Sequence, residues 1–449
     1  MAGDVAAAAL AIWLGGLLEI LRGSTPDPWG RHRPALLLLA ACWVLALGLF
    51  TRYTPRNGKR LPITIWATVL AVCGATVAWI ATLYLFAFSA LLNRGFIIPA
   101  TVAMAVLATG TRLLATKMVP RHAFQERLLL VGDGEQAGLL LPELRNGSEP
   151  FGVVAGVVAT RTDRRGLDLG PDCPILGGPE EASAFVRRHG VTGVILCEPP
   201  PVPDRLVRCI AQCERDGAWV ATMERVYESL TQKAPILHVG DDWQASLETA
   251  PRTFYAVTVK RALDTVLAAT GVVVATPIVL LAAALIRLTS RGPAFYCQER
   301  IGKEGRPFTF AKLRTMVHNA EAETGPVWAT EDDPRVTPVG RVLRKYRVDE
   351  LPQLWNVLKG EMSIIGPRPE RPHFVDQFRA AIPLYDKRLI VPPGITGWAQ
   401  VMHKYDDCVE DVIEKLRYDL FYVRHLSVKM DLLILLKTIG VVLRKKGAR

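Results

Sequence analysis

The residues that could do chemistry in this chain are concentrated in one stretch, VDELPQLWNVLKGEMSIIGPRPE, at positions 348–370. Two adjacent carboxylates, Asp349 and Glu350, precede a proline, and Arg368 follows later between two prolines. An aspartate can attack phosphorus as a covalent nucleophile. A neighbouring carboxylate is a hard oxygen ligand suited to Mg²⁺. We therefore expect Asp349 to act as nucleophile and Glu350 to bind Mg²⁺ in a phosphoryl transfer.

Phosphoryl transfer also needs positioned cations. Arg368 is framed by Pro367 and Pro369, which fix φ and lower the entropy cost of presenting the guanidinium. Arginine can hold phosphate oxygens with two parallel hydrogen bonds. Lys312 and Arg314 lie two positions apart in FTFAKLRTM, so in a strand they would face the same side. We expect these three cations to bind the phosphates of the substrate.

The same residues also fit a structural role. Asp349 could cap a helix whose first turn holds Glu350 and a proline, because acids complement the positive end of a helix. Arg368 could lie exposed in a proline-rich turn. Lys312 and Arg314 could form an ordinary basic strand face. The residue types alone leave both interpretations open.

Composition indicates a membrane protein. Half of the 449 residues are hydrophobic, only 22% are charged, and the formal net charge is +11. This balance argues against a soluble nucleic-acid binder and favours basic residues that meet anionic head groups or anionic substrates. The eight cysteines are dispersed and predict no disulfide framework. Cys209 and Cys213 are expected to lie on one helix and to serve packing. The scattered histidines show no metal-ligand spacing.

The first 122 residues predict a four-helix transmembrane region. A spanning helix needs about 20 mostly apolar residues, and these runs carry almost no polar face. Basic loops after the second and fourth runs predict that both ends of the region face the cytoplasm. The first run is expected to be a retained anchor rather than a signal peptide, since a basic n-region is absent. The four apolar runs are roughly 5–21, 34–50, 63–92 and 96–111.

Residues 123–250 predict a Rossmann-like α/β domain, because short apolar strands alternate with helical patterns. After the first strand, Gly132, Gly134 and Ala137 occupy the G-x-G-x-x-G/A positions of a phosphate-binding turn. Where a ribose-binding acid would be expected, Arg161 precedes Asp163. We therefore favour an interaction module with a tight turn over a nucleotide site. The predicted strands are 127–132, 152–159, 191–197 and 218–223.

A fifth apolar run, from 265 to 286, carries Pro277 at its centre and basic residues on both flanks. Equal basic flanks place both ends on the cytoplasmic side. Because proline removes a backbone hydrogen bond, we expect the helix over 262–288 to break at Pro277 and re-enter one leaflet, with Thr276 satisfying a freed group. A true membrane span is the alternative. Basic apolar segments near the C-terminus fit a membrane surface.

At these residues the chain resembles the bacterial polyprenyl-phosphate glycosyl-1-phosphate transferases, which start exopolysaccharide and O-antigen synthesis. The resemblance covers about 255–449. The stretches that carry it are KRALD, GPAFYCQERIGKEGRPFTFAKLRTM, DPRVTPVGRVLRKYRVDELPQLWNVLKGEMSIIGPRPE, VPPGITGWAQV and KLRYDLFYV. One departure is Arg424, where an asparagine or acid is more usual.

The resemblance implies a mostly α, monotopic catalytic domain over 251–449, following the α and α/β regions upstream. It implies that Asp349 attacks the β-phosphate of a UDP-sugar and releases UMP, and that undecaprenyl phosphate then takes the sugar phosphate from the aspartate. Glu350 matches the Mg²⁺ ligand and Arg368 the arginine near the diphosphate. The implied location is the cytoplasmic face of the bacterial inner membrane. The lipid bilayer, a homodimer partner and downstream glycosyltransferases are the expected contacts, with no nucleic acid.

Two other classes of function stay open on the sequence. A membrane-tethered nucleotide-sugar oxidoreductase or dehydratase could use the GDGEQA turn with NAD(P), although the α/β segment lacks a Tyr-x-x-x-Lys pair. A non-catalytic assembly protein could use the α/β domain as a sensor. The sequence does not distinguish galactose, glucose and N-acetylhexosamine as the sugar.

Overall fold

The computed structural model divides into two compact units, Met1–Glu126 and Arg127–Arg449. The residues that the structure describes are 2–21, 33–50, 68–69, 71–77, 79–80, 94–118, 126–132, 134–146, 152–159, 175–176, 178–198, 201–236, 240–318, 320, 333–403 and 409–443.

The N-terminal unit is built from apolar helices around one hydrophobic cluster. Helices α1 (Ala2–Leu21), α2 (Arg33–Phe50) and α3 (Arg94–Met118) and helical residues 71–77 all contribute to it. Their Ala- and Leu-rich sequences leave few polar groups to satisfy. The buried Asp4 carboxylate is paired, in a 2.9 Å ion pair with Arg112.

Within the described ranges, two helices are long and apolar enough to cross a bilayer: the Phe96–Leu114 part of α3, and Tyr255–Thr289 in the second unit. The helices α1 and α2 contain shorter apolar segments, Gly3–Leu18 and Leu36–Leu47. The third predicted run, 63–92, lies largely outside the described residues. Four spanning helices therefore stay a prediction.

The second unit begins with a parallel five-stranded sheet in the order β3-β2-β1-β4-β5. This confirms the predicted parallel α/β sheet, and the added strand β3 is only two residues long. Two apolar clusters cover the two faces of the sheet. Its elements are β1 (Glu126–Gly132), α4 (Gly134–Asn146), β2 (Gly152–Ala159), β3 (Ile175–Leu176), α5 (Pro179–His189), β4 (Gly193–Cys197), α6 (Asp204–Arg215), β5 (Trp219–Thr222) and α7 (Met223–Thr231).

The glycine at the end of β1 is required by packing between strands. Gly132 has φ 132°, and a Cβ there would lie 2.6 Å from the backbone of Cys197 at the end of β4. The close approach of two strand ends therefore accounts for this glycine without a ligand. Arg161 and Asp163, on which the nucleotide question depended, lie outside the described residues.

The remainder of the second unit is mostly helical and contains two small sheets. The hairpin of β6 and β7 is antiparallel, while β8 and β9 pair in parallel. Its elements are α8 (Asp241–Thr249), α9 (Lys260–Thr289), β6 (Phe295–Ile301), β7 (Pro307–Leu313), α10 (Pro338–Lys345), α11 (Gln353–Lys359), β8 (Ser363–Ile365), α12 (Pro372–Ala381), β9 (Gly394–Thr396), α13 (Trp398–Met402), α14 (Val409–Arg424) and α15 (Val428–Leu443).

Helix α9 corrects one prediction, because it runs through Pro277 without an interruption. The expected break at this residue is therefore not present. A proline removes a single donor and its φ is compatible with a helix, so the remaining hydrogen bonds can hold the two halves together. Thr276 does use its hydroxyl locally, donating to the carbonyl of Val272 at 2.7 Å.

Both ends of α9 pack on the C-terminal domain. Near its start, Asp264 accepts hydrogen bonds from the Ser363 hydroxyl (2.7 Å) and from the backbone N–H of Ile364 (3.1 Å). Near its end, Ile286 lies in an apolar cluster with Leu313 and Leu343. The exposed apolar residues of α9 lie largely between these attachments, as in Val273 and Leu281. The helix is thus attached to the C-terminal domain near both of its ends.

The residues just before the predicted domain boundary at residue 250 pack with the C-terminal domain. Ala234, Ile236, Trp243 and Leu247 are buried in the main apolar cluster of that domain. The boundary at residue 250 stays a prediction.

A buried contact joins the α/β domain to the C-terminal domain. Glu228 of α7 is 4% exposed and accepts hydrogen bonds from Trp243 Nε1 (2.8 Å) and Arg424 Nη1 (2.5 Å). The Arg424 guanidinium also lies 5.3 Å from the centre of the Trp243 ring. The unusual arginine found in the sequence therefore pairs with an acid of the other domain.

Candidate active site

Asp349 lies in a tight turn between two helices. Helix α10 starts at a Thr337 cap, whose hydroxyl accepts from the backbone N–H of Gly340 at 2.9 Å, and it ends at Lys345. Arg347 then adopts φ 57°, a left-handed conformation that is uncommon outside glycine. This reverses the chain into the 3-10 turn Val348–Glu350, which holds both acids.

The Asp349 side chain is buried and incompletely paired. It is 7% exposed, and its Oδ1 has no hydrogen-bond partner among the described residues. Helix α11 has no side-chain cap, so the helix-capping interpretation of Asp349 is wrong. Burial raises the pKa of Asp349, and the nearby charge of Glu350 raises it further, against the opposing charges of Lys312, Arg344 and Arg368. A buried carboxylate with an unpartnered oxygen and three cations acting on it suits a nucleophile.

Glu350 is held by two arginines. Arg347 Nη1 lies 3.2 and 3.3 Å from its two oxygens, and Arg368 Nη2 donates to Oε1 at 3.0 Å. Burial by itself would raise the pKa of Glu350, but the charges of Arg368 and Arg347 outweigh it and hold that pKa below its usual range. Arg368 therefore folds back onto the acid pair, which its separation in sequence left undecided.

The loop that carries Arg368 is fixed by buried cations behind it. Arg388 Nη2 donates to the Arg368 carbonyl at 2.9 Å, and Arg300 Nη1 donates to the Pro369 carbonyl at 3.1 Å. Arg388 is itself paired with Asp419 at 2.8 Å, and both are almost fully buried. The two prolines limit the backbone, and these contacts fix where it lies. Arg368 is thus presented from a rigid support.

Lys312 lies on β7, directly opposite Tyr296 of β6, and its Nζ is 5.2 Å from the centre of that ring. Burial lowers the pKa of Lys312 to about 8, against the attraction of the Asp349 carboxylate. Asn356 of α11 ties this strand to the helix after the acid pair, donating to the Thr309 carbonyl at 2.7 Å. The structure therefore puts Lys312 close enough to Asp349 for their charges to interact, and its contact with substrate phosphates stays a prediction.

Arg314 does not join that group. Its guanidinium donates to the Arg291 carbonyl (2.5 Å) and to the Ser290 hydroxyl (2.7 Å), at the end of α9. Strand β7 stops at Leu313, so the shared strand face expected from the spacing does not extend to this residue. Arg314 connects β7 to the end of α9 and does not belong to the group of cations that act on Asp349, which are Lys312, Arg344 and Arg368.

Arg344 supplies the cation that the spacing assigned to Arg314. It donates from Nε to the Thr315 hydroxyl at 2.9 Å, and its charge acts on Asp349. Burial lowers the pKa of Arg344, opposed by Asp349. The sequence analysis did not single out Arg344. The signal that could have identified it is a basic residue five positions before the acid pair.

The acid pair offers a limited set of ligands for a metal ion. No group of three or more His, Cys, Asp or Glu side chains that could hold a metal occurs in the described part of the chain. The unpartnered Oδ1 of Asp349 and the adjacent Glu350 carboxylate fit Mg²⁺, which usually binds one or two carboxylates, substrate phosphates and water. Glu350 would have to share its oxygens with the two arginines.

Comparison with known proteins places these residues in a family. A family described as "Bacterial sugar transferase" matches residues 255–445, which contain the whole site. A protein of Caulobacter vibrioides, named UDP-glucose:undecaprenyl-phosphate glucose-1-phosphate transferase, is 43% identical over 191 residues, covering 71% of its length and 42% of this chain. The chain belongs to the bacterial sugar transferase family. This confirms the resemblance found in the sequence.

Longer matches to other bacterial sugar transferases extend upstream of the site. The UDP-N-acetylgalactosamine-undecaprenyl-phosphate N-acetylgalactosaminephosphotransferase of Aeromonas hydrophila is 43% identical over 242 residues, 54% of this chain and 56% of its own length. The undecaprenyl-phosphate glucose phosphotransferase of Komagataeibacter xylinus is 30% identical over 347 residues, 74% of this chain and 61% of its own. The chain thus aligns with less than two thirds of either relative.

A second family, described as "CoA-binding domain", matches residues 48–222. The match contains the parallel sheet from β1 to β5 and part of the N-terminal unit. It agrees with the Rossmann-like fold of the α/β domain.

Proposed function

We propose that this protein transfers a sugar 1-phosphate from a UDP-sugar to undecaprenyl phosphate and so initiates an exopolysaccharide or O-antigen repeat unit. The observation that carries the proposal is the buried Asp349 carboxylate, whose Oδ1 has no hydrogen-bond partner among the described residues and on which the charges of Lys312, Arg344 and Arg368 act. Relatives named for this reaction with glucose or N-acetylgalactosamine support the substrate class.

In the first step, a carboxylate oxygen of Asp349 attacks the β-phosphorus of the UDP-sugar. The bond between that phosphorus and the bridging oxygen breaks, and UMP leaves with the electron pair. The product is a sugar-phosphoryl aspartate. Arg368 and Lys312 bind the oxygens of the diphosphate and balance the negative charge that grows on the leaving phosphate.

In the second step, a phosphate oxygen of undecaprenyl phosphate attacks the phosphorus held by Asp349. The acyl phosphate bond breaks, the carboxylate is regenerated, and the sugar remains on a lipid-linked diphosphate. Because UMP has left before the lipid reacts, the two anionic substrates need not bind to Lys312, Arg344 and Arg368 at the same time. The charges of Arg368 and Arg347 hold the pKa of Glu350 below its usual range, which favours its ionised form.

We propose Mg²⁺ as the cofactor, with Glu350 as its principal ligand and Asp349 beside it. Bound Mg²⁺ would neutralise part of the diphosphate charge. The two arginines on Glu350 fix the direction of its carboxylate, which is the usual role of groups behind a metal ligand.

The site is proposed to lie at the cytoplasmic face of the inner membrane. Support comes from α9, a helix long and apolar enough to cross a bilayer, whose exposed apolar side chains suit contact with lipid. A water-soluble sugar nucleotide and a lipid phosphate can then meet at head-group level. A homodimer through the α/β domain and contact with downstream glycosyltransferases are further proposals.

UMP release tests the proposal. The full chain in lipid nanodiscs is incubated with Mg²⁺ and with UDP-glucose, UDP-galactose, UDP-N-acetylglucosamine or UDP-N-acetylgalactosamine. Without lipid acceptor, one of these should give no more than one UMP per chain, and undecaprenyl phosphate should restore turnover. Asp349→Asn should abolish both, while Asp376→Asn, an exposed acid on α12, should retain them. Full turnover by Asp349→Asn would disprove the mechanism.

A further inference from the structure

The side chain of Gln400 lies beside Arg368, and only one of its two polar atoms has a hydrogen-bond partner among the described residues. Its Oε1 accepts from Arg368 Nη1 at 3.4 Å. Its Nε2 is buried and has no hydrogen-bond partner among the described residues. Because a guanidinium carries only donors, the amide oxygen must face Arg368 and the NH₂ group must face away from it. The orientation of this amide is therefore fixed by the residue that we assign to the diphosphate.

The backbone holds Gln400 at this place. Strand β9 pairs in parallel with β8, which leads into the Arg368 loop, and the backbone N–H of Gly394 donates to the Pro367 carbonyl at 2.9 Å. A Cβ on Gly397 would collide with the Gly366 carbonyl, so the two loops approach as closely as glycine allows. Helix α13, which carries Gln400, begins immediately after this contact.

Helix α13 is also anchored from the other side. The Trp398 ring is almost fully buried, and its Nε1 donates to the carbonyl of Gln232 at 3.0 Å. The short helix is therefore held both by the Arg368 loop and by the segment that follows α7. An amide on such a support keeps its direction when a ligand binds.

We propose that Gln400 is a substrate-binding residue whose Nε2 donates a hydrogen bond to an oxygen of the UDP-sugar diphosphate, next to the oxygens bound by Arg368. This inference rests on the proposed function and deepens it. A buried donor without a partner is rare in folded proteins and is explained by a group that arrives later. Phosphate oxygens carry only acceptors at neutral pH, so they match an NH₂ group that points away from Arg368.

The alternative is that Gln400 acts only by positioning Arg368. Two variants separate the cases. Gln400→Met removes both halves of the amide, whereas Gln400→Glu keeps an oxygen for Arg368 and puts a second carboxylate oxygen where Nε2 was. If Nε2 faces the diphosphate, Gln400→Glu must be the worse variant, because its charge repels the ligand. If Gln400 only positions Arg368, Gln400→Glu must bind at least as well as Gln400→Met.

The experiment measures binding of UDP and of UMP to the full chain in nanodiscs with Mg²⁺, by titration calorimetry. We expect Gln400→Met to weaken UDP binding by about 10-fold, the loss of a hydrogen bond to a charged group. Gln400→Glu should weaken it further, and UMP binding should change in neither variant. The matched controls are Gln377→Met and Gln377→Glu on the exposed face of α12.

Each other result overturns the inference. Equal or tighter UDP binding by Gln400→Glu than by Gln400→Met would show a positioning role only. Unchanged UDP binding in both variants would show that Nε2 does not meet the diphosphate. Equal losses of UDP and UMP binding would show that the variants disturb the site as a whole. Failure of the proposed function would look different, because wild-type protein would then neither bind UDP nor release UMP.

Discussion

Replacing the nucleophile should make the folded protein more stable while it abolishes activity. Asp349 is buried, its Oδ1 is unpartnered, and its pKa is raised by burial and by Glu350. A folded-state pKa above the unfolded value means that the ionised side chain weakens folding at neutral pH, and that this cost disappears as the pH falls through that pKa. Asparagine has nearly the same shape without the charge.

The size of the effect follows from the burial of an incompletely paired group. An unsatisfied buried polar group costs about 1–3 kcal/mol, and more when it is charged. The three cations near Asp349 recover part of this, so we expect Asp349→Asn to gain about 1–2 kcal/mol. For a domain of roughly 200 residues, this corresponds to a rise of about 3–6 °C in the denaturation midpoint.

The assay is thermal denaturation of the full chain in nanodiscs, at several pH values. The advantage of Asp349→Asn should be largest at neutral pH and should shrink as the pH is lowered, because the wild-type carboxyl then becomes protonated. Asp376→Asn is the matched control, since that acid is exposed and should give no shift. A midpoint for Asp349→Asn at or below that of the wild type would refute the reasoning, because the cations would then outweigh burial.

Three further predictions concern the rest of the site and its supports. Arg388→Met should lower the free energy of unfolding by about 3–5 kcal/mol, measured by denaturation, because it breaks the buried ion pair between Arg388 and Asp419. The rate of UMP release should fall on the acid side at a higher pH than the pKa of an ordinary aspartate, because the raised pKa of Asp349 keeps the nucleophile protonated there. Glu228→Ala should speed tryptic cleavage at Lys233, because it removes the buried contact between the α/β and C-terminal domains.

Exposed residues provide the matched controls for these variants. Arg379→Met breaks a pair with Asp386 that is about half exposed, and it should cost less than about 1 kcal/mol. An equal loss in Arg379→Met and Arg388→Met would contradict the role of burial. Glu224→Ala, one turn before Glu228 on α7, should leave cleavage at Lys233 unchanged. For the pH profile, an acid limb at or below pH 4 would count against a raised pKa.

The sequence by itself determined which reactive side chains are present and the structural class of each region. Adjacency in the chain makes Asp349 and Glu350 neighbours in any fold, and the flanking prolines restrict Arg368 wherever it lies. Apolar runs and alternating strands and helices depend on local composition, so the apolar helices and the parallel sheet were predictable. These features are properties of neighbouring residues and need no knowledge of distant contacts.

Only the tertiary structure decided which distant side chains meet. It brought Arg368 onto Glu350, diverted Arg314 to the end of α9, and put Arg344 beside Asp349 in its place. It also left α9 unbroken at Pro277. The physical reason is that contacts between separated residues depend on where strands end, how helices pack and which buried charges find partners. Spacing in the chain specifies none of these, because each is settled by the packing of the whole domain.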